Sequence, residues 1–349
     1  MLSLSTLLSV LAVFGPAQAI RYLGRVNPTT KELSWSGTSV SFTFSGASAS
    51  IGIEGLTGAN SAELIIDGKS TYIPSVTSTS ISTPSNLTCG NHTVIFRKSS
   101  EAQFGSIFIG NVTVDGTLGP DIPPKTRRIE VIGDSITSAY GIGGTLPCIN
   151  SAALEVISEG YSIRTADALN ADLSIISWSG IGIIRNYASG QVDTSPIMPE
   201  RYSKYGANDA SGSYTFPSSL APDAIVINLG TNDFGHNNVR PRLTGDEYTA
   251  AMVDFVRDIS SGYGNNATFF LLTSPMLNDG YPAGEMVKST QRKGLQDAVA
   301  QLGGDGVEAH VVDWPDQGSD LGCDYHPTPN TNEIGTEILV DAIEEVLGW

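Results

Sequence analysis

The sequence predicts an antiparallel β-sandwich followed by a three-layer α/β/α domain with a five-stranded parallel sheet. Short alternations of apolar and polar residues fill residues 34–115. Such alternation is typical of strands with one buried face. Continuous apolar runs separated by amphipathic segments fill the chain beyond residue 128. They are typical of buried parallel strands joined by helices. A proline-rich break over residues 116–128 separates the two patterns.

The sandwich is predicted over residues 20–118. Val40, Phe42 and Phe44 alternate with Ser41 and Thr43, which makes one face of this strand apolar. No part of the region has a helical period, and Asp-Gly turns at 67–68 and 115–116 follow two of the apolar segments. Short strands without helices predict a jelly-roll-like sandwich. The same alternation recurs at Ile51 and Ile53, Leu64 and Ile66, Val94 and Phe96, and Ile107 and Ile109.

A linker over residues 119–127 leads to the second domain, residues 128–349. The apolar runs and the amphipathic segments alternate there, which predicts a doubly wound parallel sheet with helices on both faces. In such sheets, sites form at the carboxyl ends of the strands. The predicted strands are 129–132, 173–178, 224–229, 268–272 and 307–312, and the predicted helices are 161–170, 244–260, 284–302 and 333–347.

The first nineteen residues have the pattern of a secretory signal peptide. An apolar core runs from Leu2 to Phe14, and Ala17-Gln18-Ala19 is a small-x-small cleavage signal. The apolar stretch is too short to span a membrane comfortably. We therefore expect cleavage after residue 19 and a secreted, extracellular protein.

Composition and charge indicate which kinds of binding partner this protein has. The chain of 349 residues has a formal net charge of −17, which repels nucleic acid and anionic membranes. No zinc signature and no nucleotide-binding loop occurs, so the sequence implies no cofactor and no metal. We expect a monomer with a neutral or weakly charged substrate. Four Asn-x-Ser/Thr segments are glycosylation candidates: Asn86, Asn91, Asn111 and Asn266.

Four polar or glycine-rich segments lie at the carboxyl ends of the predicted strands or before the last helix. Because these positions meet at one edge of a parallel sheet, we expect the four segments to converge. Each segment alone is common in turns, and it is their combination and order that predicts a catalytic site. The segments are Gly133-Asp134-Ser135-Ile136-Thr137, Ser179-Gly180-Ile181-Gly182, Gly230-Thr231-Asn232-Asp233 and Asp324-Tyr325-His326-Pro327.

The chemistry of these segments is complementary. Ser135 is the candidate nucleophile, and His326 is the base that would accept its proton. Asp324 is the candidate partner for the other imidazole nitrogen. The backbone N–H groups of Ser135 and Gly180 and the side-chain amide of Asn232 would form the oxyanion hole. Asp134 and Asp233 are interpreted as structural residues that bond backbone amides in their turns.

These four segments resemble the sequence blocks of the SGNH (GDSL-type) hydrolases. A secreted sandwich entered through Arg21-Tyr22-Leu23-Gly24-Arg25 makes the whole chain similar to carbohydrate esterase family 2. The resemblance implies an acetylesterase that acts on acetylated plant polysaccharides such as xylan or glucomannan. Most SGNH enzymes carry an aspartate three residues before the histidine, where this chain has Cys323. Enzymes similar to family 2 use either the closer aspartate or a backbone carbonyl, and both alternatives stay open for Asp324.

Three cysteines allow one disulfide and leave one thiol. Cys148 follows the first segment and Cys323 adjoins the histidine segment, so a bridge between them would join two active-site loops. Such a bridge suits an oxidising compartment. Cys89 would then be free, and we expect it to be buried.

Two other functions are compatible with the motifs. One is a lipid or general short-chain acyl esterase, although no long apolar insertion suggests an acyl tunnel. The other is a glycan-binding protein with an inert hydrolase domain, which the intact candidate residues disfavour. Four aromatic residues near the segments are candidates for either sugar stacking or packing, with packing favoured for Trp178: Tyr140, Trp178, Trp314 and Tyr325.

Overall fold

The computed structural model describes residues 20–210, 212–235, 239–264 and 266–349. The predicted signal peptide, residues 1–19, lies outside the described residues and stays a prediction. Within the described ranges, no helix combines the length and the apolar character that a membrane span requires.

The first domain consists of two antiparallel sheets that share one apolar core. The order of strands is β1-β3-β8-β5-β6 in one sheet, with β10 also paired to β3, and β2-β9-β4-β7 in the other. The strands are β1 Ile20–Leu23, β2 Glu32–Leu33, β3 Ser39–Gly46, β4 Ala49–Gly58, β5 Ala62–Ile66, β6 Lys69–Ile73, β7 Ser80–Ser82, β8 Gly90–Lys98, β9 Gly105–Val114 and β10 Thr117–Leu118.

The alternating pattern explains why these strands form a sandwich. Val40, Phe42 and Phe44 of β3 are all buried, and they share the core with Ile107 and Ile109 of β9 in the opposite sheet. Since successive side chains of a strand point to opposite faces, each sheet buries one face against the other. The predicted antiparallel, strand-rich first domain is confirmed.

The second domain contains a parallel sheet of five strands, in the order β12-β11-β13-β14-β15, and this prediction is also confirmed. The strands are β11 Arg127–Gly133, β12 Ala171–Ser177, β13 Ala224–Asn228, β14 Thr268–Leu272 and β15 Ala309–Val312. The helices are α1 Tyr161–Ala168, α2 Met198–Tyr202, α3 Thr231–Phe234, α4 Gly245–Tyr263, α5 Val287–Gly304 and α6 Pro329–Leu347. Short 3₁₀ turns lie at Ala152–Leu154, Ile157–Glu159, Ser218–Leu220 and Cys323–Tyr325.

Both faces of this sheet are covered, which is why its strands are continuously apolar. Ile225 and Ile227 of β13 lie in the core that includes residues of α4 and α5. Ala224 and Val226 lie in the opposite core, which includes residues of α1 and α6. Because β11 lies between β12 and β13, and the chain reaches these two neighbours by crossovers in opposite directions, the carboxyl end of β11 lies at the switch point where ligands bind in such sheets.

A buried ion pair joins the two domains. The guanidinium of Arg25, just after β1, is 2% exposed and donates to a carboxylate oxygen of Glu130 on β11 at 3.0 Å. The same guanidinium lies over the rings of Tyr202 and Tyr214, at 4.2 and 4.1 Å from their centroids. The first domain is thus anchored directly to β11, the strand that precedes the nucleophile turn.

Candidate active site

The nucleophile segment forms a tight turn directly after β11. The carboxylate of Asp134 accepts the N–H of Ile136 at 3.0 Å, and the carbonyl of Ser135 accepts the N–H of Tyr140 at 3.0 Å. These bonds fix the backbone on either side of Ser135, whose side chain is 5% exposed. The predicted serine therefore stands at the carboxyl edge of the sheet in a defined orientation.

His326 lies within hydrogen-bond distance of this serine. Its Nε2 atom is 2.8 Å from Ser135 Oγ, which is the geometry that a general base requires. The ring of Tyr140 stacks on the imidazole, with centroids 4.0 Å apart and planes inclined by 24°. The structure thus brings together Ser135 and His326 from segments 191 residues apart.

The backbone carbonyl of Asp324, not its carboxylate, orients the imidazole. His326 Nδ1 lies 3.0 Å from the Asp324 carbonyl oxygen, so Nδ1–H donates to the carbonyl and Nε2 is free to accept. The Asp324 side chain accepts a hydrogen bond from the hydroxyl of Tyr140 at 2.9 Å. Asp324 and Tyr325 have positive φ values of 51° and 64°, which turn the carbonyl toward the ring. Of the two alternatives that the sequence leaves open, the structure shows the carbonyl.

The surroundings keep His326 in its neutral form. Burial lowers the pKa of the imidazole to about 4, although the carbonyl and the charge of Asp324 act in the opposite direction. A histidine with this pKa is unprotonated at neutral pH and can accept a proton.

Two backbone N–H groups are available as oxyanion donors. Among the described residues, neither the N–H of Ser135 nor that of Gly180 has a hydrogen-bond partner. Gly180 has φ +82°, which favours glycine. Its carbonyl accepts the N–H of Tyr187 at 2.7 Å, which closes the turn on the carboxyl side of Gly180. Both groups have the character expected of the predicted oxyanion hole.

Asn232 stands beside the nucleophile turn. It lies on α3 and its side-chain amide donates to the carbonyl of Ile181 at 2.8 Å and to the carboxylate of Asp134 at 3.3 Å. Burial raises the pKa of Asp134 to about 7. The side-chain amide of Asn232 thus already makes two hydrogen bonds. To bind an oxyanion, it would have to break the longer one, to Asp134. The role of Asn232 as third donor stays a prediction.

The short helix α3 is held by partners that the sequence only partly indicates. The carboxylate of Asp233 accepts the N–H groups of Ile183, Ile184 and Arg185 at 2.8 to 3.1 Å, as expected of a structural aspartate. The guanidinium of Arg240 donates to the carbonyl of Asn232 at 2.6 Å. Sequence reasoning missed Arg240, because an arginine in a loop has no local signal of this role.

The predicted disulfide is confirmed. Cys148 and Cys323 are bridged, with Cα atoms 5.1 Å apart, and Cys323 directly precedes Asp324. The bridge ties the loop after the nucleophile to the histidine loop. The expectation that Cys89 is buried is wrong, because this free cysteine lies exposed in the turn before β8, outside the sandwich core.

The candidate aromatic residues separate into packing and exposed groups. Trp314 is 1% exposed and packs edge-on against Tyr161 at 5.0 Å between centroids. Trp178 lies under the guanidinium of Arg201 at 3.8 Å, which agrees with packing. Tyr325 is 59% exposed next to His326. Tyr187, which sequence reasoning missed, is 49% exposed beside Gly180.

Across the described ranges, no group of three or more His, Cys, Asp or Glu side chains is placed to hold a metal ion.

The parallel sheet, with the Gly133-Asp134-Ser135 turn at its carboxyl edge, is that of a GDSL-type hydrolase. The model of the GDSL-like lipase/acylhydrolase family matches residues 131–334, and the model of the carbohydrate esterase 2 N-terminal domain matches residues 22–123. The chain belongs to carbohydrate esterase family 2, whose members are carboxylic ester hydrolases.

Similar proteins support this assignment. The crystal structure of a family 2 enzyme with its carbohydrate-binding domain from Corynascus thermopiles (Myceliophthora fergusii) is 54% identical, with a TM-score of 0.91, over 95% of this chain and 100% of that one. Cellulase/esterase CelE of Acetivibrio thermocellus is 31% identical over 95% of this chain, which spans only 40% of that protein. An acetylxylan esterase/glucomannan deacetylase of Cellvibrio japonicus is 30% identical over 75% of this chain and 72% of its own.

Proposed function

We propose that this protein is a secreted serine esterase that removes O-acetyl groups from plant cell-wall polysaccharides, acetylxylan or acetylated glucomannan. The observation that carries the proposal is the 2.8 Å contact between His326 Nε2 and Ser135 Oγ, together with the N–H groups of Ser135 and Gly180, which have no hydrogen-bond partner among the described residues. The substrate follows from the Cellvibrio relative, which is named for both deacetylations.

Acylation begins when Ser135 Oγ attacks the carbonyl carbon of the acetyl ester. His326 Nε2 takes the hydroxyl proton, and the Asp324 carbonyl stabilises the resulting imidazolium through Nδ1–H. The carbonyl oxygen becomes an oxyanion that accepts from the N–H groups of Ser135 and Gly180. When the tetrahedral intermediate collapses, His326 returns the proton to the departing sugar oxygen, and the acetyl group stays on Ser135.

Deacylation repeats these steps with water. His326 removes a proton from the water molecule that attacks the acetyl-serine. The second tetrahedral intermediate releases acetate, and the proton on His326 returns to Ser135 Oγ. A direct oxyanion donor contributes roughly 100- to 1,000-fold to kcat in serine hydrolases. Pre-organised donors therefore account for a large share of the expected rate.

Secretion is supported by sequence and structure together. The signal-peptide pattern, the disulfide and the exposed acceptor sites agree with an extracellular glycoprotein. The charge of −17 favours a neutral glycan over nucleic acid or an anionic membrane, and we propose a monomer. All four candidate glycosylation sites are exposed: Asn86, Asn91, Asn111 and Asn266.

A substrate series tests the proposal. Aryl acetate, butyrate and octanoate are compared first, and acetate release from acetylated xylan and glucomannan is measured next. The variant Ser135→Ala serves as the inactive control. We expect preference for acetyl esters and release of acetate from at least one polysaccharide. Preference for octanoate would favour a lipid esterase, and glycan binding without acetate release would favour an inert binding protein.

A further inference from the structure

We infer that the first domain completes the oxyanion site, with Glu101 and Gln103 as positioning residues for the Gly180 N–H. Both side chains belong to the loop between β8 and β9 of the sandwich. The inference rests on the proposed esterase function and assigns part of its machinery to a domain outside the hydrolase fold.

The two side chains hold Ser179 from both sides. The carboxylate of Glu101 accepts the N–H of Ser179 at 2.7 Å, and the side-chain amide of Gln103 donates to the carbonyl of Ser179 at 2.6 Å. The carbonyl of Ser179 and the N–H of Gly180 belong to one planar peptide unit. The bond from Gln103 therefore fixes the direction of the donor that would face the oxyanion.

The same bond also strengthens that donor. A peptide whose carbonyl accepts a hydrogen bond is polarised, and its N–H becomes a better donor. Gln103 thus acts on the electronic character of the Gly180 N–H as well as on its position. Gln103 is exposed, so its contribution to the hydrophobic core is small.

Glu101 is anchored by the second domain in return. It is 1% exposed, and its N–H donates to the carboxylate of Glu155 at 2.6 Å. Burial raises the pKa of both carboxyl groups, and the two interact directly. Asn150 donates to Glu155 at 2.7 Å and accepts the N–H of Gly141 at 2.9 Å. Glu101 therefore connects the oxyanion loop at Ser179 to the loop that follows the nucleophile.

Kinetic and stability measurements can distinguish a positioning role for these two residues from a purely structural role. A scaffold residue would affect folding and substrate affinity, whereas a group that tunes an oxyanion donor affects the transition state. The appropriate measurements are therefore kcat, KM and the thermal unfolding midpoint of the same variants. Gln103→Ala removes the hydrogen-bond donor to the Ser179 carbonyl. Gln103→Glu keeps the length of the side chain but places a carboxylate oxygen next to that carbonyl.

The test uses the full chain and hydrolysis of an aryl acetate. We expect Gln103→Ala to lower kcat by about 5- to 20-fold with little change in KM, since loss of a direct donor costs roughly 100- to 1,000-fold. Gln103→Glu should lower kcat further than Gln103→Ala, although it preserves more of the side chain. Glu101→Gln, which keeps an acceptor for the Ser179 N–H, should retain more activity than Glu101→Ala.

A matched control is Gln301→Ala. This glutamine is exposed on α5, which ends just before β15 begins and so lies toward the amino edge of the sheet. The kcat of the Gln301→Ala variant should equal that of the wild type. Wild-type kcat in both Gln103 variants would overturn the inference, and so would a loss confined to KM or to the unfolding midpoint. A wild type that releases no acetate from any ester would instead refute the proposed function.

Discussion

The substitution Asp324→Asn tests which group orients His326, the proposed base. Asparagine is well suited to the φ of +51° at this position, so the backbone carbonyl that bonds His326 should stay in place. The substitution removes only the charge and weakens the bond that the carboxylate accepts from Tyr140. In the structure, neither of these makes a direct hydrogen bond to the imidazole.

The expected cost is small. The Asp324 side chain is exposed, and an exposed charge interaction is worth about 1 kcal/mol at most. The hydrogen bond from Tyr140 adds about 1 kcal/mol. A total of about 2 kcal/mol corresponds to a loss of up to roughly 30-fold in kcat/KM. Loss of the orienting carboxylate in a full Ser-His-Asp triad costs about 10,000-fold in kcat.

The assay is hydrolysis of an aryl acetate over a pH series, with Ser135→Ala as the zero and Tyr140→Phe as the control for the lost hydrogen bond. Because the Asp324 charge raises the pKa of His326, its removal should move the acidic limb of the profile to lower pH. A loss of about 1,000-fold or more, with unchanged thermal unfolding, would show that the Asp324 carboxylate orients His326 and that the backbone carbonyl alone does not.

Three further outcomes follow from the site. Ser135→Ala should abolish ester hydrolysis without lowering the unfolding temperature, and residual activity near the wild-type level would exclude the acyl-enzyme mechanism. We propose the neutral form of His326 as the base, and burial lowers the pKa of this histidine to about 4, so kcat/KM should stay level from neutral pH downward and fall only as the pH approaches 4. A midpoint near 6.5, the ordinary pKa of histidine, would contradict this effect of burial. Replacing Cys148 and Cys323 by serine removes a cross-link between residues 175 positions apart. The free energy of unfolding, measured by calorimetry, should fall by about 2–4 kcal/mol, and kcat should fall because the histidine loop is less well held. An unchanged unfolding temperature would show that the bridge adds no stability.

The residues at the strand ends could be predicted from the sequence, because the pattern of apolar residues along the chain shows where each strand ends. Ser135 directly follows an apolar run, and parallel strands bring such positions to one edge whatever the details of packing. The start of α4 was likewise predictable, because Thr244-Gly245-Asp246-Glu247 has the pattern of a capping box. In the structure, the side chains of Thr244 and Glu247 each accept the backbone N–H of the other residue. These features need only neighbours along the chain.

Features that depend on how the two domains pack, or on individual backbone angles, were not predictable. Glu101 and Gln103 contact Ser179 only because two domains meet there, and nothing within ten residues of either marks that meeting. The two roles of Asp324 depend on backbone angles that a carboxylate next to a histidine does not reveal. Cys89 was expected in the core on residue type alone, but a turn between strands leaves it exposed.

The ion pair between Arg25 and Glu130 has a consequence for how this protein can be divided. A hydrolase domain cut away from its sandwich would keep the carboxylate of Glu130 on β11 without its cation. Removing one partner of a buried pair typically costs about 3–5 kcal/mol, which is a large part of the stability of an ordinary domain. The two domains are therefore distinct in their amino-acid pattern but depend on each other for stability. The chain is better regarded as a single folding unit than as an enzyme with an accessory module.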